Sequence, residues 1–238
     1  MSKSALVVLS GGQDSVTCLG WALAEFNDVY AISFDYGQRH KVELECAAEL
    51  CRRFDVPHVL VDISTLGRMV TTNLIGDGDV NQPHPHDASL PSSFVPARNA
   101  TFLTFAFAHA QELGVTNIVA GMCQTDYSGY PDCRQEFVTQ LNDALNVGYN
   151  GKITIHTPLM NLDKAQTFAL AEHVGFLPIV IEDSHTCYNG DHTTMHPWGY
   201  GCGKCPACNL RAKGYMAWLQ HDYEEFDTDL NSLGQPAA

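Results

Sequence analysis

Ser10-Gly11-Gly12-Gln13-Asp14-Ser15 stands between an unbroken apolar run at 5–9 and a helix pattern at about 15–26. Few folds accept that succession. A short continuous run rich in Val and Leu reads as a strand buried on both faces of a parallel sheet. A glycine pair lets the chain turn tightly into the helix. The first N–H groups of that helix point into the turn, and the helix dipole favours negative charge there, so the turn is suited to an anion. Ser10 and Ser15 add hydroxyl donors, and Asp14 could hold Mg²⁺ or cap the helix. Leu9, Ser10, Gly11, Gly12, Gln13, Asp14 and Ser15 are therefore the candidate phosphate-binding residues. No lysine is placed as in the Walker phosphate loop, and the dinucleotide pattern of three spaced glycines is absent. A plain strand–helix connection capped by Asp14 or Ser15 stays open on local chemistry alone.

The alternation continues along the chain. Strand patterns fall at 29–34, 58–61, 117–120 and 153–155, and helix patterns at 39–54, 99–113, 133–147 and 164–174. The helix at 99–113 is apolar enough to be expected buried. Strands and helices in turn imply an α/β parallel sheet with helices on both faces. A chain of 238 residues, 45% hydrophobic and 17% charged, suits one such domain with a small appendage. The expected division is a nucleotide-binding domain at 1–180, a C-terminal module at 181–222 and a frayed tail at 223–238. One stretch breaks the rhythm: 62–96 is rich in Gly, Pro, Asn and Asp and reads as a long loop, either a lid or subunit contact or a floppy insertion. Its His84 and His86 are expected in solvent.

Charge and cysteine content narrow the function. The formal net charge of -14 argues against a nucleic-acid partner, because that affinity comes from Lys and Arg on phosphates. No apolar run reaches the length of a membrane helix, and the first residues carry no export pattern, so a cytoplasmic protein is expected. Nine cysteines in a reducing compartment are not read as disulfides. Cys202, Cys205 and Cys208 follow Cys-x-x-Cys-x-x-Cys spacing, and Cys187 precedes them by fifteen residues. Four thiolates suit one tetrahedral Zn²⁺ with no open position, a structural site. An iron–sulfur cluster, or a ligand drawn from His185, His192 or His196, are the alternatives. The segment 189–200 is expected to be a solvent loop.

The glycine turn resembles the pyrophosphate loop Ser-Gly-Gly-x-Asp-Ser of the N-type ATP pyrophosphatases, which transfer AMP to an oxygen of the acceptor. That resemblance implies a Rossmann-like sheet of the adenine nucleotide alpha hydrolase kind. Further segments narrow it: Phe34-Asp-Tyr-Gly-Gln-Arg-His40, Val95-Pro-Ala-Arg-Asn99, Asp126-Tyr-Ser-Gly-Tyr-Pro-Asp-Cys-Arg134, Thr157-Pro-Leu159 with Lys164, and Thr186-Cys-Tyr-Asn-Gly190. With the turn and the cysteines they span nearly the whole chain to about Tyr215, and as a set they resemble the 7-cyano-7-deazaguanine synthase (QueC) family. The stretch 191–200 departs from the family pattern.

The resemblance implies a reaction. ATP with Mg²⁺ adenylates the carboxylate of 7-carboxy-7-deazaguanine, and ammonia displaces AMP to give the amide. A second ATP activates the amide oxygen, and loss of AMP leaves the nitrile. The resemblance also implies one structural zinc and a homodimer. Tyr36, Gln38, His40, Asp126, Tyr127, Tyr130 and Asp132 follow strand ends, where ligands sit in open α/β sheets, and are the candidate deazaguanine-binding residues. Asp14, Arg98 and Lys164 are the candidate catalytic residues, the two cations being suited to charge that develops as pyrophosphate leaves. Three rivals remain. A tRNA-thiolating enzyme would need a persulfide cysteine, for which Cys123 and Cys133 are the candidates. A synthase homologue could adenylate a different carboxylate. A zinc-module binding protein could keep ATP only as a ligand.

Overall fold

The computed structural model describes residues 3–75, 84, 86, 87, 89–125 and 129–220. Among them, five strands form one parallel sheet: β1 (Ser4–Val8), β2 (Asp28–Asp35), β3 (His58–Asp62), β4 (Asn117–Ala120) and β5 (Thr154–His156), in the order β3-β2-β1-β4-β5. The helices are α1 (Gln13–Glu25), α2 (Val42–Arg53), α3 (Ser64–Met69), α4 (Arg98–Leu113), α5 (Gln135–Tyr149), α6 (Lys164–His173), α7 (Leu177–Asp183) and α8 (Pro206–Gln220).

Strand periodicity explains the two cores. Ala5, Val7 and Leu9 project into a cluster with Leu19 and Phe168, on the side of α1 and α6. Leu6 projects the other way, into a cluster with Ile32, Phe107 and Ile118 on the α4 side. A strand covered on both faces must be apolar at every position, which is why the run at 5–9 is unbroken. The chain winds outward from β1 to β3 and returns to β4, so the order reverses between β1 and β4. The crevice beyond their carboxyl ends is where open α/β sheets bind ligands.

Several boundaries differ from expectation for identifiable reasons. The helix at 99–113 is not fully buried: Leu103, Ala106, Phe107 and Ala110 face inward, while Phe105 is 44% exposed. α2 begins at Val42, because Gly37 takes a left-handed conformation (φ 86) in a turn after β2. A 3-10 turn at Pro131–Cys133 precedes α5. The long segment at 62–96 contains α3, and Gly67 lets that helix approach β2's exit, since a Cβ there would lie 2.2 Å from the Tyr36 carbonyl oxygen. His84 is buried, packed against Phe94, not solvated. The tail at 223–238 lies outside the described residues.

The C-terminal part is tied to the sheet domain. α8 lies on α6 with Gly214 against Lys164, where a Cβ would lie 2.4 Å from the lysine Cβ. The segment at 189–200, expected as a solvent loop, contains a short hairpin of β6 (Met195–His196) and β7 (Gly199–Tyr200). Trp198 is buried between them and stacks on His196 at 4.4 Å.

Candidate active site

The glycine turn at 10–15 is pinned on one hydroxyl. Ser15 Oγ accepts the N–H groups of Ser10 and Gly11, each at 3.1 Å, and donates to the Gly12 carbonyl at 3.0 Å. Ser10 Oγ lies 3.0 Å from it and accepts the Gly12 N–H at 3.2 Å. Gly11 has φ +90, and a Cβ there would lie 1.9 Å from the Glu43 carbonyl oxygen, so only glycine fits. The turn opens into a cavity of about 290 Å³ bordered by Leu9, Ser10, Gly12, Gln13, Asp14 and Ser15. Gly121, just after β4, lets the strand end approach α1, since a Cβ there would lie 3.1 Å from the Asp14 carbonyl carbon.

Asp14 and Lys164 meet across 150 residues. Lys164 Nζ donates to both carboxylate oxygens, at 2.8 and 2.6 Å, and its side chain is only 11% exposed. The lysine is set by a capping box at the start of α6. Asp163 accepts the Gln166 N–H at 2.8 Å, and Gln166 Oε1 accepts the Asp163 N–H at 2.8 Å. That box holds Lys164 as the first helical residue, beside the cavity.

The far end of the cavity is aromatic and cationic. The Arg98 guanidinium lies 5.9 Å from the Tyr36 ring centre and 5.6 Å from that of Tyr130. Its Nε is buried without a hydrogen-bond partner among the described residues. Tyr130 is fixed by Ser93 at 2.5 Å and approaches the Tyr188 hydroxyl at 3.5 Å. Ser93 and Phe94, from the long segment, thus dock beside this end.

The other candidates divide. Gln38 borders the cavity, but its amide is occupied in the turn: Oε1 accepts the Tyr36 N–H at 2.9 Å and Nε2 donates to the Phe34 carbonyl at 3.3 Å. His40 borders the cavity and packs on Gly190, where a Cβ would lie 2.5 Å from Nδ1. Asp132 stands off the cavity and accepts the Asn99 N–H at 3.2 Å, at the start of α4; burial raises its pKa, and Arg98 opposes that. Asp126 and Tyr127 lie outside the described residues. Cys123 and Cys133 both border the cavity; Cys123 donates to the Leu162 carbonyl at 3.0 Å.

Glu43, Thr186 and Arg211 border the cavity and are not among the candidate site residues of the sequence. Glu43 borders the cavity from α2, and burial pushes its carboxyl up to about 7, with Arg98 acting against that shift. Thr186 and Arg211 border it from the cysteine module. An acidic residue in a first helical turn and an arginine in a helix both read as solvated from sequence, so no local signal marks them. Thr186 was visible only as the neighbour of Cys187.

The four cysteines converge. The sulfurs of Cys187, Cys202, Cys205 and Cys208 all lie within 4.8 Å of one another, with Cys202 and Cys208 at 3.9 Å. A tetrahedral ion with bonds of about 2.3 Å to sulfur sets its ligands about 3.8 Å apart, so the group can hold one metal ion. Backbone N–H groups of Cys202, Cys205 and Cys208 point at the sulfurs of Cys187, Cys202 and Cys205, at 3.4–3.5 Å, which suits thiolates. The histidines are engaged elsewhere: His185 meets His192 at 3.1 Å, and His196 meets the Gly201 carbonyl at 2.8 Å. Cys46 and Cys51, by contrast, are isolated in α2, and burial pushes each thiol up to about 12.

A family model described as queuosine biosynthesis protein QueC matches residues 4–219. Among similar proteins, a 7-cyano-7-deazaguanine synthase of Wolinella succinogenes is 48% identical over 219 residues, covering 91% of this chain and 94% of that protein. One from Methylorubrum extorquens is 49% identical over 229 residues, covering 90% and 93%. One from Rhodopseudomonas palustris is 50% identical over 230 residues, covering 91% and 95%.

Proposed function

The chain belongs to the QueC family of queuosine biosynthesis enzymes, and from that premise we propose that it uses two ATP to turn 7-carboxy-7-deazaguanine and ammonia into 7-cyano-7-deazaguanine. In the first half, a carboxylate oxygen attacks the α-phosphorus, the bond to the β-phosphate oxygen breaks, and pyrophosphate leaves. Ammonia then adds to the acyl carbon, AMP leaves, and a proton is released, giving the amide. In the second half, the amide oxygen attacks the α-phosphorus of a second ATP, and pyrophosphate leaves. The carbon–oxygen bond then breaks with loss of two N–H protons in all, and the nitrile remains.

One observation carries this reading: a single cavity joins the phosphate turn and the Lys164–Asp14 pair to the Arg98, Tyr36 and Tyr130 cluster. A nucleotide with its phosphates on the turn and a planar acceptor between the tyrosines would meet at the α-phosphate. Lys164 offsets charge that develops there, and Arg98 orients the acceptor carboxylate. Gln38 and Asp132 position their neighbours. Mg²⁺ would arrive with ATP, be held through Asp14, and supply charge neutralisation on the phosphates. The module at 181–222 holds one structural Zn²⁺ on its four cysteines, since a close four-sulfur site suits that ion. The sheet domain at 1–180 binds the nucleotide. Family resemblance supports a cytoplasmic homodimer, and the net charge of -14 argues against a nucleic-acid partner; among the described residues no helix is long and apolar enough to cross a membrane.

The test is one incubation of the protein with 7-carboxy-7-deazaguanine, ammonium and Mg·ATP, read by mass spectrometry. The expected product is the nitrile, with AMP formed at two per nitrile. Absence of both amide and nitrile would overturn the reading. Activity only on tRNA would favour thiolation.

A further inference from the structure

We propose that Thr186 donates a hydrogen bond to the pyrophosphate portion of bound ATP and that Arg211, on the cysteine module, is the residue that aims it. The inference rests on the reading of the cavity as an ATP site.

Arg211 is 1% exposed, borders the cavity, and has no carboxylate within ion-pair distance among the described residues. A buried guanidinium without an anion is costly. Its Nη2 donates to the Val180 carbonyl at 2.6 Å and its Nη1 to Thr186 Oγ1 at 3.2 Å. Its Nε is buried and has no hydrogen-bond partner among the described residues. Gly199 admits the group, since a Cβ there would lie 2.3 Å from Nη2.

Thr186 Oγ1 receives a second donor, the Gln13 N–H at 3.2 Å. A hydroxyl oxygen has two lone pairs and one proton. With both lone pairs engaged, its own proton is what remains to be paired, and it finds no acceptor among the described residues. Thr186 stands beside the amide that opens α1, on the cavity wall. The Gln13 side chain on the same wall also has both polar atoms buried and unpaired among the described residues. A phosphate oxygen would accept the Thr186 hydroxyl proton, while Arg211, whose Nε is closed off from solvent, stays behind the threonine as its positioning group. The phosphate site is then completed by the module that the four cysteines hold, and Thr186 is adjacent to the ligand Cys187.

The experiment compares the full-length, metal-loaded wild type with Thr186→Val, Thr186→Ser and Arg211→Lys by titration calorimetry, with metal content measured alongside. The probes are pyrophosphate, AMP, and an ATP analogue with a methylene between the α- and β-phosphates. A hydrogen bond to a charged group predicts that Thr186→Val weakens the analogue and pyrophosphate about ten- to a hundredfold while AMP changes little. Thr186→Ser should restore binding. Arg211→Lys keeps a cation but cannot span both carbonyl and hydroxyl, and should show a smaller loss confined to the same two probes. Equal losses on AMP, or no loss, would overturn the proposal. If Thr186→Val loses its metal, Arg211→Lys decides by the same criterion. A wild type that does not bind the analogue sinks the ATP reading itself, whereas equal binding by wild type and Thr186→Val sinks only this inference.

Discussion

The two ends of the cavity are built on different principles. At the end proposed for phosphate, consecutive residues from Ser10 to Ser15 make the turn, and one hydroxyl, Ser15 Oγ, holds it by local bonds. At the other end, Tyr36, Arg98 and Tyr130 come from the exit of β2, the start of α4 and the approach to α5, and meet only because the sheet orders those segments. Anion recognition can be local because its donors are backbone N–H groups and a helix dipole. Recognition of a flat acceptor needs side chains at fixed separations, which no short segment supplies.

The comparison can be broken most severely where the two ends share support. On the proposed structural-metal role, Cys205→Ser should abolish metal binding at the four-cysteine cluster and weaken the helical signal of α8, because a structural metal contributes on the order of 10 kcal/mol to local folding. Metal analysis and circular dichroism check this, and a variant that retains metal would remove the argument. Next in size, Lys164→Met leaves Asp14 without the ammonium that contacts both its oxygens. On the proposed mechanism it should lower kcat about 10²- to 10³-fold in a pyrophosphate-release assay. A change in the acceptor KM alone would mean that the lysine belongs to the other end.

Arg98→Lys sharpens the contrast from the acceptor side. A lysine cannot reproduce a planar group beside two aromatic rings, so the acceptor KM should rise about tenfold while the ATP KM stays put. Parallel rises in both would show that the ends are not separable. The last test has no catalytic readout and concerns Glu43, which contacts the turn through Gly11 and faces Arg98 across the cavity. Folding raises its carboxyl from an ordinary 4.5 to about 7, so the folded chain keeps a proton that the unfolded chain has released. Stability from this group is therefore greatest below about pH 4.5 and is lost as pH rises to about 7. Glu43→Gln should accordingly gain about 5–10 °C in Tm relative to wild type between pH 5 and pH 8. The same Tm difference at both pH values would refute this reading of Glu43.

The central strands were legible nearly to the residue, because a strand covered on both faces must be apolar throughout. β4 was expected at 117–120 and lies there, while β1 and β2 differ by one residue at each end. Helix boundaries shifted where turn chemistry intervened, as at Gly37 before α2 and Pro131 before α5. α3 was missed inside a segment whose Gly, Pro, Asn and Asp content hides a short helix.

By itself, the sequence determined the glycine turn between strand and helix, the parallel sheet, the set of four cysteines and, through the set of matching segments, the family. Each is a property of neighbouring residues or of spacing along the chain. Only the tertiary structure decided that Lys164 pairs with Asp14, that Glu43 closes on Gly11, and that Arg211 and Thr186 join the phosphate turn. Those contacts bridge residues 25 to 173 positions apart or depend on how α2 meets the turn. A charged residue in a helix is marked as buried only by what packs around it, and that is set by the sheet order and the four-cysteine module.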